Sequence, residues 1–166
     1  MMFKKTLLAA ALFTVAGFAM ASPSATDTAQ FDVKIHIDNT CDVHTTAPTA
    51  VDFGSHLSTD TSISAQNDIT VTCTPDASYN IGLDGGSSGS VAARKMASQS
   101  GAAATVGYQL YQEAGHTNVW GNTIGTDTVT GTGTGSAQTL HAYGVVASAN
   151  VHAGDYLDSV TVTVTY

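Results

Sequence analysis

The residues with chemical potential in this 166-residue chain are few and scattered. Gly85-Gly86-Ser87-Ser88-Gly89 matches the G-x-S-x-G nucleophile elbow, in which a strained strand-to-helix turn raises a serine for attack. That chemistry needs a parallel α/β sheet beneath the turn and an oxyanion hole from a neighbouring loop. The chain is too short for such a sheet and lacks the βαβ pattern, so a Gly/Ser loop between strands is the better reading. Six histidines (His36, His44, His56, His116, His141 and His152) show neither i, i+4 helical spacing nor a Cys/His cluster. They read as scattered surface residues. Asp155 and Asp158 beside Gly154 fall short of the oxygen set that calcium takes. Trp120, Tyr108 and Tyr111 could stack on a sugar, but a chain's single tryptophan is more often core. No catalytic residue, no metal ligand and no cofactor is assigned, and an enzyme is not expected.

Cys41 and Cys73 are the two cysteines. Residues 1–21 carry a positive start (Lys4, Lys5), a mostly apolar run from Thr6 to Met20 and small residues at Ala19-Met20-Ala21, the pattern of a cleaved secretory signal. An even cysteine count in an exported chain predicts one disulfide, Cys41–Cys73. Closing that loop stabilises a domain by about 3–4 kcal/mol in the chain-entropy model. Removal of Lys4 and Lys5 leaves three basic residues against 13 acidic ones, taking the net charge from −8 to −10. Such a surface repels phosphate backbones and anionic lipid, so no nucleic-acid partner is expected.

The elements that must position these residues are short strands. Thr, Ser, Ala and Gly dominate, a mix suited to strands and turns. After a polar leader from Ser22 to Gln30, Phe31 to Ile37 alternates strictly, as do Asp68 to Cys73 and Asp158 to Tyr166. Cys41 to Val43, a short strand at Ala50 to Gly54 ending in a turn, Tyr79 to Leu83, Val106 to Tyr111 and Leu140 to Val146 complete the set. Val91 to Met96 reads as a helical turn, and Trp120 through Gly135 as a connection too Gly-rich to pack. Short strands with turns between them and no crossover helix indicate an antiparallel sandwich. With Cys41 to Val43 taken as the first strand resuming, six further strands are expected, where an immunoglobulin-type sandwich has seven.

The missing strand is the last. Val160, Val162, Val164 and Tyr166 share one face of the closing strand, whose open backbone groups need a partner. At the other end, Phe31, Val33, Ile35 and Ile37 form a second apolar stripe.

Several segments, taken in order, resemble the spore coat U domain family, which includes subunits of archaic chaperone–usher pili. They are Val33-Lys34-Ile35 ahead of Cys41-Asp42-Val43, Asp52-Phe53-Gly54, Ile69 to Cys73, Ile81 to Gly86, Arg94-Lys95-Met96, Tyr108 to Tyr111, Trp120-Gly121, Tyr143-Gly144, Gly154 to Asp158 and the closing Val-Thr-Val-Thr-Tyr. Gly125 to Ser136 has no counterpart in that pattern. The resemblance implies an all-β fold: an incomplete immunoglobulin-like antiparallel sandwich lacking its final strand and completed by a donor strand. It implies three partners: a periplasmic chaperone that fills the groove first, an outer-membrane usher, and neighbouring pilus subunits. Phe31, Val33, Ile35 and Ile37 would then be donor side chains, and Val160, Val162, Val164 and Tyr166 would line one wall of the acceptor groove. Four such side chains contribute roughly 6–12 kcal/mol gross on burial, comparable with a whole domain's stability.

The implied organisation is a signal peptide over 1–21, a leader with donor strand over 22–38 and a β-sandwich over 39–166. The implied function is a structural pilus subunit, exported through the periplasm to the cell surface and serving adhesion and biofilm formation. The alternatives are a self-contained secreted sandwich that binds glycan and a spore or surface-coat structural protein.

Overall fold

The computed structural model describes residues 26–43 and 50–166. The expected signal segment, 1–21, lies outside the described residues, as does His44. The chain divides into two compact units, Met1–His36 and Ile37–Tyr166. In the first, residues 26–36 are exposed and join no ladder, although alternation over Phe31 to Ile37 predicts a strand. Alternation sets which face a strand buries, but a strand exists only where a neighbour completes its hydrogen bonds.

Among its described residues the second unit holds ten strands: β1 (Cys41–Asp42), β2 (Thr61–Cys73), β3 (Ser78–Leu83), β4 (Lys95–Ser98), β5 (Thr105–Gly107), β6 (Gln109–Tyr111), β7 (Val129–Thr132), β8 (Ala137–Ser148), β9 (Tyr156–Leu157) and β10 (Val162–Thr165). All pairings are antiparallel, in sheets ordered β1-β2-β8-β6, β10-β3-β7 and β5-β4-β9. The backbone of the fold is the β2–β8 ladder, running from Thr61 opposite Ser148 to Thr72 opposite Ala137. Along β2 the side chains of Ile63, Asn67, Ile69, Val71 and Cys73 are buried and their neighbours are not. Of these, Ile69, Val71 and Cys73 meet Tyr79, Ile81 and Leu83 of β3, with Leu110, Trp120 and Ala142, in one core between the layers. A smaller cluster of Ile63, Val106 and Val146 continues it.

Ten strands among the described residues replace the six expected, for identifiable reasons. The Val106 to Tyr111 strand divides at Tyr108: β5 pairs with β4, β6 with β8, and the Tyr108 N–H donates to Arg94 O between them. The helical turn expected over Val91 to Met96 is a 3₁₀ turn at Val91–Ala93 followed by β4. The Gly-rich connection contains β7, where Tyr79 closes on Gly131: a Cβ there would stand 2.4 Å from the Tyr79 ring. Glycine is what lets this strand pack. Ala50 to Phe53 joins no ladder, and the turn after it falls at Gly54, with φ +77°.

The expected disulfide joins Cys41 and Cys73, which face each other across β1 and β2. Beside it Thr40 and Thr74 are tied through backbone and side chain, with Thr74 N–H to Thr40 O at 2.9 Å and Thr40 N–H to Thr74 Oγ1 at 3.0 Å among their bonds.

Candidate functional site

An apolar groove of about 860 Å³ opens between the layers. Its floor is the inward face of the β2–β8 ladder, with Ile63 and Ile69 from one strand and Ala142 and Val146 from the other. One wall is the approach to β10 and its first residue, Val160 and Val162, beside Leu83 of β3. β10 pairs with β3 on one side and has no strand on the other among the described residues. The second wall is the unladdered stretch from Ala50 to Ser58, with Val51 and Phe53 half-buried and Asp52 exposed between them.

This second wall rests on a single small residue. A Cβ on Gly144 would stand 2.7 Å from Val51 Cγ1 and 2.8 Å from Phe53 Cζ. The missing side chain in the middle of β8 is what lets the wall lie on the floor. His56 fastens its far half, with Nε2 2.7 Å from Phe53 O and Nδ1 3.1 Å from Asp60 Oδ2. Hydrogen bonds from the Leu57 backbone and from His56 hold the Asp60 carboxyl below its usual range.

A polar knot holds the end of the groove where β10 begins. Tyr108 donates its hydroxyl to Asp158 Oδ2 at 2.6 Å, and Asp158 Oδ1 accepts from Ser87 N–H at 2.8 Å and Ser159 N–H at 2.9 Å. Burial works to raise the Asp158 carboxyl, but the bonds from Tyr108 and Ser87 outweigh it and hold the group below its usual range. Burial and then the Asp158 carboxylate push the Tyr108 hydroxyl well above the usual phenol range. Beneath the knot, Arg94 is 1% exposed. It donates to Leu83 O, Asp84 O and Trp120 O, each at 2.8 Å, and to Gln109 Oε1 at 2.7 Å. One guanidinium thereby sets the end of β3, the start of β6 and the Trp120 turn.

The groove gathers only part of the residues singled out in the sequence. Val160 and Val162 line it, whereas Val164 packs on the main core and Tyr166 is 57% exposed. Phe31, Val33 and Ile35 are each 86% exposed and Ile37 is 71% exposed. Trp120 is fully buried, its indole N–H given to Ile81 O at 2.8 Å, so it is core. Ser87 gives its hydroxyl to the backbone at Lys95 O, at 3.3 Å. Among the described residues no cluster of three or more His, Cys, Asp or Glu could hold a metal ion. The sequence reading missed Val51 and Phe53 as a wall and Arg94 as a tie. Asp52-Phe53-Gly54 was visible as a pattern, but nothing local said that it would lie along a groove.

What the arrangement can do is accept a β-strand. An open strand edge, an apolar floor and a second wall without ladder partners match the requirements of strand addition. Comparison with known proteins bears on this. A family model for the Spore Coat Protein U domain matches residues 27–163. The fold is similar to the chaperone–tip adhesion subunit pre-assembly complex of CsuC and CsuE from the archaic chaperone–usher Csu pili of Acinetobacter baumannii. That likeness has a TM-score of 0.51 at 19% identity and covers 77% of this chain and 40% of that one. It is similar also to a chaperone–tip adhesin complex described as vital for activation of CFA/I fimbriae biogenesis, with a TM-score of 0.50 at 12% identity, over 76% of this chain and 41% of that one. The chain thus spans about two fifths of the length of these solved chains. No curated protein matches it.

Proposed function

We propose that this chain, which belongs to the Spore Coat Protein U domain family, is a structural subunit of a surface pilus built by donor-strand complementation. The observation that carries the reading is the groove itself: an apolar cleft of about 860 Å³ flanked by the free edge of β10. Phe31, Val33, Ile35 and Ile37 of one copy fill the groove of the next. The lengths agree, since Phe31 to Ile37 and the floor from Ile63 to Ile69 are both seven residues, about 20 Å of strand. Val160 and Val162 then form the deep wall, with Val164 further along β10 and Tyr166 just beyond its end. Residues 22–38 act as leader and donor, and 39–166 as the domain that receives it.

The same groove would be held before assembly by a periplasmic chaperone and filled at an outer-membrane usher, after export led by residues 1–21. The solved relatives support the chaperone step, being complexes of pilus subunits with chaperones by their descriptions. Adhesion and biofilm formation follow as the work of the finished fibre. No residue is assigned a catalytic role.

The test is assembly of the exported full-length protein, followed by electron microscopy and by ladders that resist mild detergent. Wild type should form filaments. Val33→Asp with Ile35→Asp should remove donation, and Val162→Asp should remove acceptance. Neither variant polymerises alone, but mixed together they should stop at heterodimers. Amorphous aggregates in place of filaments would favour a coat protein. A monomer unaffected by any of these changes would sink the reading and favour a glycan-binding sandwich.

A further inference from the structure

We infer that Asp52 selects the incoming strand by its charge, pairing across the outer face of the groove with Lys34 of a second copy of this chain. The inference rests on the donor-strand reading and adds to it the residue pair that chooses the partner.

Among the described residues, the carboxylates and imidazoles that line the groove are Asp52, Asp155 and Asp158 with His56 and His152, beside the phenols of Tyr108 and Tyr156. No lysine or arginine stands among them. Asp158 is already committed to Tyr108, Ser87 and Ser159. Asp52 is exposed between the inward Val51 and Phe53, and its Oδ1 accepts from Gly54 N–H at 2.8 Å, which orients the carboxylate.

Its position along the groove is set by Gly144, on which Val51 and Phe53 both rest. Gly144 lies midway between the lining residues Ala142 and Val146, and opposite Ala65, one residue from the middle of the floor from Ile63 to Ile69. Asp52 therefore stands at mid-groove. In the donor, alternation that turns Phe31, Val33, Ile35 and Ile37 inward turns Asp32, Lys34 and His36 outward. Lys34 is the fourth of seven residues, so it sits at mid-strand whether the donor enters parallel or antiparallel to β10. In the inserted donor Lys34 and Asp52 then share the outer face at the middle of the groove, opposite charges on neighbouring chain segments. Before insertion Lys34 makes, among the described residues, a local contact of 3.0 Å to Asp32, with both side chains about four-fifths exposed. Little is lost when it changes partner.

The acidic surface sharpens the effect. Copies of a chain with a net charge of −8 repel one another, and a central attraction favours the correct approach over sliding.

The test uses synthetic peptides of residues 28–38 titrated into the full-length protein. The wild-type peptide should bind, and the Lys34→Glu peptide should bind about three- to tenfold more weakly, the scale of an exposed pair reversed in sign. Asp52→Lys protein should invert that preference, and raising the salt should shrink it. Asp52→Asn, a gentler change, should abolish the preference while still binding both peptides. Equal binding of both peptides to wild type overturns this inference and leaves the groove reading intact. Binding of neither peptide overturns the groove reading and the inference with it.

Discussion

Tyr108 and Asp158 meet at 2.6 Å across 50 residues of sequence, tying the point where one strand changes sheets to the residues that lead into β10. The bond holds one end of the groove, and its neighbours show how the open wall is kept in place without a strand beside it. Asp84 Oδ1 accepts from Gly86 N–H and Thr161 N–H, both at 2.9 Å, so the chain entering β10 is anchored on the β3 side as well.

Tyr108→Phe should destabilise the domain by about 1–2 kcal/mol at neutral pH, the loss of one hydrogen bond to a partly exposed carboxylate. The Asp158 carboxyl is held below its unfolded range. Its contribution is therefore present above the unfolded value near 3.9 and is lost as the pH falls through the lower folded one. Thermal melts of both proteins should differ at pH 7, and the gap should shrink as the pH is lowered below the unfolded value. A gap that persists in acid would mean that the hydroxyl works through packing.

Arg94→Met should cost about 3–5 kcal/mol, because it leaves three backbone carbonyls and Gln109 without their donor inside the core. Arg94→Lys should recover little, since one ammonium cannot reach four acceptors in the plane of a guanidinium. Urea melts of the three proteins measure this directly.

Gly144→Val should displace the wall of Val51 and Phe53, lowering stability by about 1–3 kcal/mol as an overpacked core does. Binding of a peptide of residues 28–38 should fall with it. Unchanged peptide binding in a folded Gly144→Val protein would show that this wall takes no part in the site.

Replacing Cys41 and Cys73 together by serine should remove about 3–4 kcal/mol, as expected for opening a loop with a separation of 32 residues. The reduced wild type should melt close to the double variant.

Glu113 accepts from Thr117 Oγ1 and from the Thr117 and Asn118 N–H groups, and these bonds pull its carboxyl down to about 2. A carboxyl resonance followed by NMR should titrate with a midpoint about 2. A midpoint in the ordinary glutamate range would show that the loop is open in solution.

The sequence by itself determined the all-β class, the faces of the long strands and the disulfide. Ile69, Val71 and Cys73 alternate with threonines, and period-two burial is a property of the strand backbone that needs no knowledge of the neighbours. Val33 and Ile35 were legible as an apolar stripe for the same reason, although no strand forms there in the single chain. Only the tertiary structure decided which strands exist as pairs and where the groove lies. β7 depends on the Tyr79 ring closing on Gly131, the sheet change at Tyr108 on the carbonyl of Arg94, and the second wall on a gap above Gly144. Each is a contact between residues far apart in sequence, made by shape and by satisfied hydrogen bonds. Local propensity carries no record of either, which is why Arg94 read as one charge among five and proved to be the tie beneath the groove.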